Sequence, residues 1–237
     1  MQAVSTIRQQ HADHPALAQA STEVKNFQSR RFQATYADLL KSPRYEAATR
    51  FFLHELYGDK DYAERDQQFA RIATTITRLF PQAVVDTATA LSEVHALTEQ
   101  LDDLMARQWL AGGSQATHLS ESARYIHAWR GVADAPARYR QLEVVLHLGR
   151  ELNRLTRKPG LRTLLKMMRR PAAAAGLSSL QGFLEAGFDA FADMGGADEF
   201  LNIIEQRETM WVHCLFDDTA VTCETKLAVL LRTLEPQ

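Results

Sequence analysis

Long apolar runs, disulfide-forming cysteine sets and a strong excess of charge are all missing from this chain. No window approaches the roughly 18 uninterrupted apolar residues of a membrane span, so we predict no transmembrane segment. The two cysteines, Cys214 and Cys223, are too few for a disulfide framework in 237 residues and form no Cys-x-x-Cys pair. A formal net charge of -2 excludes a globally basic nucleic-acid-binding protein.

Sequence motifs for common chemistry are missing as well. We find no Gly-x-Ser-x-Gly, no Walker-type loop, no Gly-x-Gly-x-x-Gly and no Cys-x-x-Cys-His, so no motif implies a cofactor. These absences favour a protein that is not an enzyme. The N-terminus has no continuous apolar stretch of the kind found in secretory signals, and we therefore expect a cytoplasmic protein.

Helix-forming residues dominate what is present. Ala, Leu, Arg, Gln and Glu are abundant, while runs of β-branched residues and strand-like alternation are scarce. The sequence predicts an all-α fold, a single bundle of about nine or ten helices in residues 21–237, behind a loosely ordered lead-in over residues 1–20. A chain of this length can bury a sizeable core and needs no disulfide bonds or metal ions to stabilise it.

Caps and breakers place the predicted helices. Ser21 is expected to cap a helix over 22–40, and Ser42-Pro43 is expected to begin the next one. Gly58 ends that helix in this interpretation. Further helices are predicted over about 61–79, 81–110, 120–131, 136–157, 161–170, 178–194 and 197–216, with a last helix around 221–234.

The densest mixture of aromatic and charged residues lies between positions 50 and 66. Arg50 and His54 are four residues apart and share a helix face, with Tyr57 three residues further on. One interpretation is a polar ligand pocket, and the other is a structural corner held by ion pairs. The candidate ligand-binding residues are Arg50, His54, Tyr57, Asp61, Arg65 and Asp66.

Two segments resemble a known family. The first reads Phe51-Phe-Leu-x-x-Leu-Tyr-Gly58 followed by Asp61-x-x-x-Arg-Asp66, and the second runs from Gly187 to Leu201 as Gly-Phe-Asp-Ala-Phe-Ala-Asp-Met-Gly-Gly-Ala-Asp-Glu-Phe-Leu. Together they are similar to an uncharacterised bacterial all-helical family of similar length. The resemblance implies a helical fold over most of the chain and brings no activity and no catalytic residue.

A basic segment, residues 153–184, contains no acidic residue. It could bind phosphate groups or an anionic surface, or it could pair with the acidic region around 189–208. The candidate anion-binding residues are Arg154, Arg157, Lys158, Arg162, Lys166, Arg169 and Arg170. The acidic residues are Asp189, Asp193, Asp198, Glu199, Glu205 and Glu208. We expect no nucleic-acid partner, because no helix-turn-helix signature or set of stacking aromatics accompanies the basic residues.

Metal and heme sites receive little support. The chain lacks the Glu-x-x-His of helical di-iron sites, and Glu143 and His147, which share a face, lie among further charges typical of a solvated surface. His54 and His95 border apolar stripes and are the candidates for axial heme ligation, although such histidines are more often structural. We predict no metal site.

Three functional classes remain open. A non-enzymatic interaction or regulatory protein, with a protein partner, suits a helical bundle without a catalytic set. The alternatives are a small-molecule or heme-binding bundle, with a pocket around residues 50–66, and a binder of phosphate-rich partners through residues 154–170.

Overall fold

The computed structural model describes residues 2–56, 81–113 and 118–234. All regular structure in these ranges is helical, which confirms the all-α prediction. The eleven α-helices of the described ranges are α1 (Gln2–Asp13), α2 (Pro15–Thr35), α3 (Glu46–Leu56), α4 (Gln82–Ala111), α5 (Glu121–Val132), α6 (Ala135–Thr156), α7 (Leu161–Met167), α8 (Arg169–Ala174), α9 (Ser178–Asp193), α10 (Asp198–Phe216) and α11 (Ala220–Leu231). Short 3₁₀ helices cover Leu39–Lys41 and Arg232–Leu234.

Several helix boundaries follow the sequence signals. The Ser120 side chain caps α5 by accepting a hydrogen bond from the Ala123 N–H at 3.0 Å. Asp134 caps α6 in the same way, with Ala137 N–H as the donor at 3.0 Å. Gly195 and Gly196 separate α9 from α10 with φ values of 71° and 135°, which L side chains rarely adopt.

The N-terminal region differs from the expected loose lead-in over residues 1–20. It forms α1 and the start of α2, with Pro15 in the first turn of α2, where a missing N–H has no cost. Val4 and Ile7, three residues apart on one face of α1, are both buried. Because most residues of this segment are polar, the short apolar face did not stand out in the sequence. Ser21, predicted to be an N-cap, lies buried inside α2.

Two other boundaries also differ. The helix expected at Ser42-Pro43 begins at Glu46, after a turn. The single basic helix expected over 161–170 is divided into α7 and α8, close to Pro171, which has no N–H to continue the helical hydrogen-bond pattern. The helix predicted over 61–79 lies outside the described residues, and the number of domains stays a prediction.

Helix α4 is central to the packing. It contacts α2, α5 and α6, while α6 also packs against α9 and α10. The buried apolar side chains form two clusters. The first cluster contains residues of α3, α6 and α9, such as Phe51, Leu148 and Phe188. The second contains residues of α2, α5 and α10, such as Phe27 and Trp129.

In the described ranges, no helix combines the length and the apolar composition needed to cross a membrane.

Candidate functional site

Helices α3 and α9 bring together residues 51–56 of the first segment that carries the sequence resemblance and the beginning of the second segment, at Gly187. The Phe51 ring contacts the Phe191 ring edge to face, with centroids 6.4 Å apart. It also contacts the Phe183 ring at 5.1 Å. Gly187 permits this approach, because a Cβ atom built there would lie 2.8 Å from Cζ of Phe51. The glycine and the aromatics therefore fix α3 against α9.

A groove of about 830 Å³ lies beside this contact, between α2, α3 and α9. Its volume falls in the range of roughly 300–1,000 Å³ that is typical of ligand pockets. We call it the α3–α9 groove. The apolar side chains that line it are Leu40, Ala47, Phe51, Leu53, Ala186 and Ala190. The polar ones are Ser29, Gln33, Arg50, His54, Glu55, Asp189 and Asp193.

Two of the six sequence-predicted ligand residues line this groove. Arg50 Nε lies 2.9 Å from Oε1 of Glu46, one turn earlier on α3, and its side chain is 66% exposed. His54 Nδ1 lies 3.1 Å from Oε1 of Glu55, and its side chain is 57% exposed. The other four predicted residues, Tyr57, Asp61, Arg65 and Asp66, lie outside the described residues.

Acidic residues of α9 occupy the opposite side of the groove. Asp189 Oδ1 lies 2.9 Å from Nε of Arg162, which belongs to α7. Asp193 is exposed near the end of α9, and no described residue forms a salt bridge with it. The groove therefore combines an apolar surface with carboxylates on one side.

The basic segment is partly compensated within the fold. Besides Arg162, Arg169 forms a salt bridge with Glu185 of α9, with Nε to Oε1 at 2.8 Å, and this contact holds the pKa of the Glu185 carboxyl below its usual range. Arg154 pairs with Glu151 on its own helix. The four cations for which no salt bridge is found within the described residues are Arg157, Lys158, Lys166 and Arg170. Anion binding by this segment stays a prediction.

The acidic region contributes mostly to other contacts. Glu199 accepts hydrogen bonds from Arg44 Nη1 at 2.8 Å and from Tyr45 Oη. Glu205 lies 3.6 Å from Arg150. These pairs join α10 to the chain before α3 and to α6, so electrostatic compensation is distributed over the surface.

The sequence interpretation missed a buried polar centre in the bundle. Glu208 of α10 lies 2.8 Å from Arg31 Nη2 of α2 and also accepts a hydrogen bond from Tyr36 Oη at 2.8 Å. The exposed fractions of the Arg31 and Glu208 side chains are 3% and 9%. Although burial alone would lower it, the pKa of Arg31 lies above its ordinary value, because Glu208 and two tyrosines stabilise the charge.

A second group of charges extends this centre along α4. Burial raises the pKa of Asp102, in opposition to the effects of Lys25 and Arg138. Lys25 Nζ lies 2.8 Å from Oε1 of Glu99. Burial lowers the pKa of Lys25, but Asp102 and Glu99 outweigh burial and hold it above its usual value.

A helical-face pattern could have revealed this centre. On α10, Glu208 follows the buried Ile204 by four residues and precedes the buried Trp211 by three, so it falls on the apolar face. Arg31 likewise lies four residues after the buried Phe27 on α2. A charge in the middle of an apolar face indicates a buried ion pair, since charged residues are rarely buried without a partner.

The candidate metal and heme ligands lie on three helices, α3, α4 and α6. Within residues 2–56, 81–113 and 118–234, no group of three or more His, Cys, Asp or Glu side chains is placed to hold an ion. Glu143 and His147 are exposed beside Arg150, as expected for a solvated face. His95 is buried in α4, and His54 lies at the groove. Heme binding at either histidine stays a prediction.

The family comparison covers nearly all of these features. The sequence model of a family described as a domain of unknown function, DUF8198, matches residues 7–222. The chain belongs to this family. Both groove-forming helices and the buried polar centre fall inside the matched range, and the family is uncharacterised. Comparison with curated proteins and with solved structures found no match.

Proposed function

We propose that this protein is a non-enzymatic interaction or regulatory protein whose α3–α9 groove binds an amphipathic helical segment of a partner protein carrying basic side chains. The groove carries the proposal, because it joins apolar and acidic side chains in a volume of about 830 Å³. Grooves with an apolar surface take the apolar face of an amphipathic helix, and charged side chains beside them select the partner.

The charges of the lining favour a cationic partner. Glu55, Asp189 and Asp193 provide three carboxylates, against one guanidinium, that of Arg50. Arg50 pairs with Glu46 of α3 and Asp189 pairs with Arg162 of α7, so carboxylates still outnumber guanidinium groups when both partners are counted. Basic side chains on a docked helix would therefore meet an acidic surface, which increases the association rate and disfavours acidic partners.

The surroundings of Arg50 and His54 support binding rather than a chemical step. Both side chains are more than half exposed, at 66% and 57%, so water screens their interactions. Groups used for proton transfer are usually tuned by burial and by neighbouring charges. The half-buried Leu53 and the exposed Ala47 and Ala186, which also line the groove, instead offer apolar area for a partner side chain.

Site-specific photocross-linking in cells tests the proposal. A photoreactive amino acid would replace Ala186, which is exposed on α9 and lines the groove. The matched control carries it at Ala192, which is exposed on the same helix but is not part of the groove lining. We expect a product at position 186 but not at 192, and mass spectrometry should identify a basic amphipathic helix as the cross-linked peptide.

Three results would overturn the proposal. A cross-link from position 186 to another part of the same chain would show that the groove is filled internally. A cross-link between two copies, recognised with isotopically mixed protein, would make it a self-association surface. Equal capture at 186 and 192 would show that the groove has no selectivity.

A further inference from the structure

The outward side of α7 and α8 places an exposed apolar side chain between two basic ones. Lys166 and Arg170 are four residues apart, and Met167 lies between them, so the three side chains are neighbours on one side of the helical path. The backbone stays right-handed helical at the residue that separates α7 from α8. All three residues are exposed, Met167 to 70%, whereas Leu161 and Leu165 are buried on the other side of α7. We call Lys166, Met167 and Arg170 the α7–α8 face.

Basic side chains outnumber acidic ones around this face. Residues 154–170 contribute the seven cations already named. The described carboxylates that pair with these cations or raise their pKa values are Asp86, Glu151, Glu185 and Asp189. Adding Asp193, one turn further along α9, still leaves more cations than carboxylates. Lys166 helps to lower the pKa of the Glu185 carboxyl, but that carboxylate forms its salt bridge with Arg169. The excess of positive charge therefore remains after every acidic neighbour is counted.

The composition of the segment distinguishes between the classes of anionic partner. Residues 157–174 contain no aromatic residue, no histidine, no asparagine or glutamine and no acidic residue. Single-stranded nucleic acids are bound largely by stacking on aromatic side chains, and tight protein interfaces are enriched in Trp and Tyr. A bilayer with anionic headgroups requires neither, because it attracts cations without directional contacts and takes an apolar side chain at the headgroup boundary. A lone exposed methionine is ordinary on a protein surface, but one between two exposed cations fits this boundary.

We propose that the α7–α8 face binds the surface of an anionic phospholipid bilayer. Lys166 and Arg170 lie at the headgroup phosphates, and Met167 inserts between them to the level at which the acyl chains begin. Each cation close to an anionic bilayer strengthens binding about fivefold. Arg157 and Lys158, exposed in the turn before α7, add to the attraction. The contact does not involve the α3–α9 groove lining, so it is independent of the partner proposed for that groove.

Cosedimentation of the full chain with lipid vesicles tests the requirement for charge. Vesicles of phosphatidylcholine alone are compared with vesicles in which one third of the lipid is phosphatidylglycerol. We expect binding only to the anionic vesicles, and weaker binding as the salt concentration rises. Lys166→Ser combined with Arg170→Ser should lower the affinity at least ~10-fold. Lys41→Ser combined with Arg232→Ser removes the same charge from two exposed positions elsewhere, and should lower it less than ~3-fold.

Met167→Ser measures the insertion separately from the charge. It should weaken binding to the anionic vesicles ~3–10-fold, because the apolar side chain no longer leaves water. Met210→Ser, at a 50% exposed position on α10, is the matched control and should bind as wild type does.

Four results would overturn the proposal. Equal binding to the two kinds of vesicle would show that anionic lipid is not recognised. Equal losses in the two double variants would show that the attraction is not located at the α7–α8 face. Unchanged affinity in Met167→Ser would remove the insertion. Binding of soluble polyglutamate or of a DNA fragment as tightly as the anionic vesicles would assign the face to an acidic macromolecule instead of a lipid surface.

Discussion

Gly187 and Phe51 touch across the α3–α9 contact so closely that a Cβ atom on the glycine would lie 2.8 Å from Cζ of the ring. Leu152 side-chain atoms lie 3.3 Å from the same position. The absence of a side chain at position 187 is therefore what allows the two groove-forming helices to approach.

Gly187→Ala and Gly182→Ala should have opposite effects on stability. Both glycines lie in α9, where alanine is intrinsically favoured by about 1 kcal/mol. At 187 the new methyl group meets Phe51, and overpacking typically costs about 1–3 kcal/mol, so the net effect should be destabilising. At 182 no neighbouring atom lies within 4 Å of the built Cβ. The higher helix propensity of alanine should therefore make Gly182→Ala more stable than wild type. Urea unfolding of both variants measures the difference, and a stabilised Gly187→Ala protein would refute the packing argument.

Glu208→Gln should strongly destabilise the fold. It leaves the buried Arg31 guanidinium without its neutralising carboxylate, a change that usually costs about 3–5 kcal/mol. Glu205→Gln, on the same helix, disrupts only a half-exposed contact of 3.6 Å with Arg150 and should change the stability by about 0.5 kcal/mol or less. Denaturant unfolding of both proteins at neutral pH compares them. Similar losses of stability in the two variants would show that the buried Arg31–Glu208 pair contributes no more than the half-exposed contact does.

Asp102 should make stability depend on pH. Burial raises its pKa above the ordinary value of about 3.9, so the folded protein holds this proton more tightly than the unfolded chain does. The free energy of unfolding should therefore fall as the pH rises from about 4 through the folded pKa, by about 1.4 kcal/mol for each unit of the shift.

The Asp102→Asn variant isolates this contribution. Its stability relative to wild type should increase over the same pH range and level off above the folded pKa. Asp86→Asn, at an exposed position of α4, serves as the control and should show no such trend. A pH-independent difference between Asp102→Asn and wild type would contradict the assignment.

The two cysteines should be inert in the native protein. Cys214 and Cys223 are 1% and 0% exposed, with Sγ atoms 2.8 Å apart. Burial raises the pKa of both thiols, which suppresses the reactive thiolate. A thiol-specific disulfide reagent should label neither in the folded state and both in denaturant. Val221→Cys, at a 75% exposed position, supplies a fast-reacting reference. Native labelling as fast as at position 221 would contradict this expectation.

The local signals in the sequence predicted much of the fold, because they act over a few residues. The cap at Ser120 and the paired glycines at 195 and 196 specify where helices begin and end. The helix at residues 2–13 escaped prediction because its apolar face consists of little more than Val4 and Ile7. Its stability depends on packing against α4, which the local sequence does not show.

The buried polar centre and the α3–α9 groove were harder to predict, because their residues come from distant parts of the chain. Arg31 and Glu208 are 177 positions apart, and no local pattern names the partner of a buried charge. Arg50 and His54 were identified through their helical spacing, and they do lie together at the groove. Asp189 and Asp193, on the acidic side of that groove, were considered only as possible partners of the basic segment, and Asp189 does pair with Arg162.

Blocking the groove tests the central claim most directly. The peptide identified by cross-linking at position 186 would be titrated against purified wild-type protein, Ala186→Trp and Ala192→Trp by fluorescence anisotropy. An indole at 186 fills the groove, whereas one at 192, on the same helix, stays outside its lining. We predict at least a ~10-fold weaker affinity for Ala186→Trp and wild-type affinity for Ala192→Trp. Wild-type affinity in both variants would place the partner elsewhere and contradict the account.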